Sequence, residues 1–207
     1  MAELKVSAIL LAAGRSLRMG GRDKLLLEYK GKTLLKRAMW LLCRLPAFEW
    51  ILVTTIARLG YIDIPTKVQL ALNMNHESGQ SGSLRLGLNA ACGEHYLFLA
   101  ADQPLLTPAC LLPLFELAER NPDKIVFPSV NGEPRTPSMF PSRFREELTS
   151  LYGDIGGRAV REMHPGSCIT FEAEKPDAFL DIDNEEDYLA LLNRNGKKDG
   201  KADRKRV

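Results

Sequence analysis

Three stretches of the chain bring together residue types that could handle a polyphosphate. The first is Gly14-Arg15-Ser16-Leu17-Arg18-Met19-Gly20-Gly21-Arg22-Asp23-Lys24, which follows an apolar run at residues 6–13. Its glycines let the backbone turn tightly and bring N–H groups up to an anion, while Arg15, Arg18 and Lys24 place positive charge in the same loop. The spacing matches neither the GK[ST] phosphate loop nor the GxGxxG fingerprint, so taken alone the loop reads equally well as a basic turn. The second is Asp102, in Ala101-Asp102-Gln103-Pro104, directly behind another apolar run. A carboxylate there could hold Mg2+ against substrate phosphates, or it could simply occupy a turn. The third, ESGQSGSLRLGL at residues 77–88, places Gly79, Ser81, Gly82 and Ser83 ahead of a helical pattern. Small polar groups could face a ligand there, or Ser81 or Ser83 could cap a helix.

These stretches need elements to position them. VSAILLA reads as a short buried strand ending before Gly14. TLLKRAMWLLCRL carries Leu34, Ala38, Leu41, Leu42 and Leu45 as one helical stripe. Residues 50–56, 68–72 and 95–101 read as strands, and residues 83–91 as a helix. TPACLLPLFELAERN predicts a helix with Thr107 at the N-cap and Pro108 at its first position, although Pro113 argues against an undistorted one. KIVFPSV reads as a further strand, and DIGGRAVREM and NEEDYLALL as helices. Alternation of strands and helices over the first 130 residues predicts an α/β domain with a mainly parallel sheet covered on both faces. Such sheets bind ligands at the carboxyl ends of their strands, which points to the segments after Ala13, Leu72 and Ala101.

Composition narrows the class. The 207 residues are 45% hydrophobic and 26% charged, as expected of one globular domain with a core. Residues 194–207 hold seven Lys/Arg against two Asp/Glu, leaving 21 against 24 in a mildly acidic body. This segment is nearly free of apolar residues and is read as a disordered basic tail behind a domain at 1–193. Cys43, Cys92, Cys110 and Cys168 form no CxxC pair, and His76, His95 and His164 lack metal-ligand spacing. Reduced thiols in a cytoplasmic protein are therefore expected, not a disulfide or zinc framework. Lys5 ahead of an apolar run resembles a secretion signal, but charge resumes at Arg15 and an amphipathic segment follows, so a buried first strand fits better. No run reaches membrane-spanning length. Neither a membrane nor a nucleic acid is an expected partner.

Taken in order, LAAGRSLRMGGRDKLLL, GKTLLKRA, GQSGSLRLGL, LAADQP, GDIGGRAV and DIDNEEDY resemble the MobA-like nucleotidyltransferases over nearly the whole chain. The resemblance implies a Rossmann-like three-layer sandwich and transfer of a nucleoside monophosphate from an NTP to a phosphate, with release of pyrophosphate. It implies Leu11, Ala12, Ala13 and Gly14 as the nucleotide loop, and Arg18 and Lys24 as phosphate clamps. Asp102 becomes the Mg2+ ligand, Asp183 a second one (or the N-cap of the helix that follows), and Ser81, Gly82 and Ser83 lie by the base or ribose. The chain is most similar to the cytidylyl branch, which joins CMP from CTP to molybdopterin. Ala13 stands where guanylyl enzymes read glycine, whereas RMGGRDK is closer to their wording, and Arg135-Thr136-Pro137-Ser138 departs from the cytidylyl pattern. A molybdoenzyme or its maturation factor is the implied protein partner. The competing readings are a GTP-dependent guanylyltransferase, a sugar-phosphate nucleotidyltransferase, and a non-catalytic nucleotide-binding chaperone for the cofactor.

Overall fold

The computed structural model describes residues 4–16, 19–74 and 79–199. Among the described residues, ten strands and seven helices follow in chain order. The first half holds β1 (Val6–Ala12), β2 (Glu28–Tyr29), β3 (Lys32–Thr33), α1 (Leu34–Leu42), β4 (Glu49–Thr54), α2 (Ile56–Leu59), β5 (Val68–Leu72), α3 (Gly79–Ala90) and β6 (His95–Ala100). The second holds α4 (Pro108–Arg120), β7 (Ile125–Val130), β8 (Glu133–Pro134), β9 (Ser138–Pro141), α5 (Arg145–Ser150), α6 (Arg158–Met163), β10 (Cys168–Glu172) and α7 (Glu185–Asp199). One sheet runs β10-β7-β9-β6-β1-β4-β5, with β8 beside β7, and β2 and β3 form a separate small hairpin. β1 pairs in parallel with β4 and β6, β4 with β5, and β7 with β10. β9 runs antiparallel to both β6 and β7.

The strict two-residue period of β1 splits the core into two layers. Val6, Ala8, Leu10 and Ala12 pack with Leu35, Leu42, Leu111 and Leu114 of α1 and α4. Ile9 and Ala13 pack with Leu84 and Leu88 of α3 and, further along the sheet, Leu148 of α5 and Val160 of α6. This is the expected three-layer sandwich, with the parallel strands presenting their carboxyl ends along one edge. α4 is continuous through Pro113, so that proline does not break it. The strand expected over 50–56 ends at Thr54, and Ile56 opens α2 instead.

Of the segment 194–207, residues 194–199 are described as part of the last helix. α7 continues to Asp199, and Arg194 pairs with Asp177 at 2.8 Å. Three acidic residues, Glu185, Glu186 and Asp187, fill the first turn of α7, where the helix dipole favours them and supports a long final helix. Residues 200–207 lie outside the described residues.

Candidate active site

The sequence after β1 turns at Gly14 and, beyond residues 17–18, returns through a short turn of 3-10 helix at Lys24–Leu26. Asp23 caps that turn by accepting the N–H of Leu25 at 3.0 Å. Ser16 completes the link: its Oγ donates to Asp23 at 3.3 Å and accepts the N–H of Lys24 at 2.9 Å. Lys24 is thereby aimed at the carboxyl edge of the sheet. Its Nζ donates to Asp102 Oδ2 at 2.6 Å and to Asp183 Oδ1 at 3.1 Å. Burial works to lower the Lys24 pKa, but Asp102 and then Asp183 outweigh it and hold the ammonium above its ordinary value. Lys24 is firmly a cation.

Asp102 reaches this point because β6 ends at Ala100 and the chain turns there. Asp183 reaches it from the far end of the chain, through the Ile182 N–H, which donates to the Asp102 carbonyl at 3.0 Å. Asp183 does not cap α7. Asn184 does: it accepts the Asp187 N–H at 2.9 Å, and Asp187 reaches back to the N–H groups of Asp183 and Asn184 at 3.0 and 3.1 Å. The Asp183 carboxylate is therefore left to the site. Asp181 stands close by. Burial first, then like charge from Asp102 and Asp183, pushes its carboxyl up to about 7 against the pull of Lys24 and Arg135.

Lys24, Asp102 and Asp183 line a cleft of about 510 Å³ with Leu11, Ala13, Gly14, Arg15, Ser16, Gln80, Ser83 and Asp154. The structure thus brings together Leu11, Ala13, Gly14, Lys24, Ser83, Asp102 and Asp183 of the expected set. Ala12 is fully buried on the α1/α4 face, so its side chain is absent from the cleft. Ser81 and Gly82 are buried within α3 and do not line it either. Ser83 accepts the side-chain N–H of Asn73 at 3.0 Å. Arg18 lies outside the described residues.

Gln80 and Asp154 were not legible as site residues. Asp154 Oδ1 accepts the Gln80 N–H at 3.3 Å, and the Gly153 carbonyl accepts that of Ser81 at 3.2 Å, so residues 153–154 cap α3 from across the chain. Gly79 permits this approach. Its φ is +69°, and a Cβ there would stand 2.5 Å from the Gly153 oxygen.

Asp102 and Asp183 are the residues of the cleft that could hold a hard cation. Asp102 Oδ1 is buried and has no hydrogen-bond partner among the described residues, while its other oxygen faces Lys24. An uncompensated buried carboxylate oxygen is costly, and a cation would satisfy it. Asp102 and Asp183 supply two carboxylates; no group of three or more metal-ligating side chains occurs among the described residues. Two carboxylates completed by substrate phosphates is how Mg2+ is commonly held.

The family model described as the MobA-like NTP transferase domain matches residues 8–168. A molybdenum cofactor guanylyltransferase of Pseudomonas fluorescens is 34% identical over 122 residues, covering 57% of this chain and 58% of that protein. The chain thus spans little more than half the length of that curated relative. Another molybdenum cofactor guanylyltransferase, from Shewanella sediminis, is 27% identical over 202 residues, covering 91% of this chain and 96% of that protein. A nucleotidyl transferase from Methanothermobacter thermautotroptrophicus superposes with a TM-score of 0.77 at 24% identity, over 94% of this chain and 99% of that one, a likeness of fold.

Proposed function

The chain belongs to the MobA-like NTP transferase family, and from that premise we propose that it moves a nucleoside monophosphate from a nucleoside triphosphate to the phosphate of a molybdopterin-type acceptor. The observation that carries this reading is Lys24, held between Asp102 and Asp183 beside the glycine loop. A phosphate oxygen of the acceptor attacks the α-phosphorus in line. The bond to the β-phosphate oxygen breaks, and pyrophosphate leaves with the electron pair. Two anions must meet, so charge neutralisation is the main task. Among the described lining residues the carboxylates Asp102, Asp154 and Asp183 outnumber the cations Arg15 and Lys24. Mg2+, held by Asp102 and Asp183, would supply the missing positive charge and polarise the phosphates. Lys24 and Arg15 hold phosphate oxygens, and the N–H groups of the loop add donors. The acceptor phosphate is ionised at neutral pH, so no general base is needed. Neither histidine nor cysteine is among the described lining residues, consistent with that chemistry.

For the donor base, the names of the curated relatives favour GTP. A second reading, CTP, rests on Ala13, whose methyl narrows the loop relative to glycine. Ala13 is only 4% exposed and packs into the core layer of α3, so its methyl offers a base little surface and the GTP reading stands first. The test is pyrophosphate release with each NTP in turn, with and without molybdopterin. Release with GTP that requires the acceptor supports guanylyl transfer. Release with CTP alone moves the chain to the cytidylyl reading. Nucleotide binding without release under any combination leaves the chaperone reading in place of both.

A further inference from the structure

One buried charge beside the nucleotide loop takes no part in the reaction as described. Arg58, on the four-residue helix α2, is 5% exposed. Its guanidinium forks onto Asp23, with Nε 2.6 Å from Oδ2 and Nη2 2.9 Å from Oδ1. It also donates to two loop carbonyls: Nη1 to Ala12 at 2.6 Å and Nη2 to Gly14 at 2.9 Å. One side chain thus joins the end of β1, the turn at Gly14 and, through Asp23 and Ser16, the backbone of Lys24.

The direction of these bonds matters. In a trans peptide the N–H points opposite to the C=O of the same plane. Drawing the carbonyls of Ala12 and Gly14 onto Arg58 turns the N–H groups of Ala13 and Arg15 away from it. Ala13, Gly14 and Arg15 all line the cleft that holds Lys24 and Asp102. A glycine-bearing loop left to itself would be ordered only as its ligand binds, at the ligand's cost in affinity. We propose that Arg58, acting through Asp23 and the carbonyls of Ala12 and Gly14, is a positioning residue that pre-sets the loop amides and Lys24 to receive the phosphates of the nucleoside triphosphate. The inference rests on the nucleotidyl-transfer reading and adds to it a residue that never touches substrate.

Arg58→Lys keeps the charge but cannot hold the fork and both carbonyls together. Asp23→Asn keeps the cap on Leu25 but weakens the fork. The experiment is titration of the Mg2+ complexes of GTP and CTP into the wild-type chain, both single variants and the double variant by calorimetry. Steady-state kinetics and thermal melting accompany it. A pre-set loop contributes to binding in ground and transition states alike, so Arg58→Lys is expected to raise Kd and KM about 10-fold or more with a smaller change in kcat. Asp23→Asn shifts both in the same direction by less, and the double variant adds little to Arg58→Lys, because the pair acts as one unit. Folded variants whose Kd stays within twofold of wild type overturn the proposal, as does loss of activity that follows only the unfolded fraction. If Arg58→Lys is unfolded at the assay temperature, Asp23→Asn decides, and an unchanged Kd overturns the proposal. A wild-type chain that binds neither nucleotide overturns the functional reading itself and the positioning role with it, an outcome distinct from unaltered binding in the variants.

Discussion

Asp102 concentrates the electrostatics of the cleft. One oxygen answers Lys24 and the other, buried, answers nothing among the described residues. Asp102→Asn preserves shape and removes the charge, so turnover is expected to fall on the order of 10²-fold or more. Thermal melting should show a far smaller effect, and near-normal turnover at saturating Mg2+ would contradict the metal role. Lys24→Ala removes the ammonium that two carboxylates hold. NTP binding should weaken by ~1.5–3 kcal/mol, the range of a charge-assisted contact, read directly in a nucleotide titration. Unaltered affinity would make Lys24 a purely structural counter-ion to Asp102 and Asp183.

At the scale of elements, α3 is set against the sheet by the missing side chain of Gly87. A Cβ there would lie 2.5 Å from Ile9 Cγ2 and 3.2 Å from Val53 Cγ2, both in the core. Gly87→Ala should cost ~1–3 kcal/mol by overpacking, visible as a lower urea midpoint, and an unchanged midpoint would mean that α3 rides higher on the sheet than described. Much of this architecture was readable in advance. β1 and β5 have the expected bounds because each is a short, mainly apolar run closed by a loop. Lys24 and Asp102 were readable because chemistry gathers at strand ends. What escaped depends on contacts between distant segments. IARL is too short to announce a helix, and nothing local to Arg58 says that its partners lie 35 to 46 residues earlier. The same holds for Asp154, whose place in the cleft comes from capping a helix that begins 75 positions before it in the sequence. Ala12 could have been removed from the expected lining: the alternation of β1 already turns it to the opposite face from Ile9 and Ala13.

For the molecule as a whole, acid stability should depend on His95, far from the cleft at the start of β6. The ring is buried, Nε2 lies 2.8 Å from the Pro122 carbonyl and so carries the proton, and Nδ1 is buried without a partner among the described residues. Burial holds the pKa below its ordinary 6.5, only partly offset by that carbonyl and by Glu94 and Asp123. The neutral ring is therefore favoured by the fold, and its contribution is full above pH 6.5. As pH falls below that value the unfolded chain takes up a proton that the folded one resists, and stability declines by up to about 1.4 kcal/mol per pH unit. The melting temperature of the wild-type chain should drop more steeply between pH 7.5 and 5.5 than that of His95→Asn; parallel profiles would contradict the assignment.

The bond from Lys24 to Asp183 spans 159 residues, and that from Lys24 to Asp102 spans 78. On a translating ribosome, at roughly 5–20 residues per second, the lysine therefore waits on the order of ten seconds between emerging and meeting its second carboxylate. For most of that interval β1 has its neighbour β4 available while Lys24 is not yet held on both sides. The β1, β4 and β5 part of the sheet can be built long before the cleft is electrically complete, whereas β10 at the opposite edge emerges only shortly before Asp183, so during its own synthesis this molecule begins its shape early and completes its chemistry last.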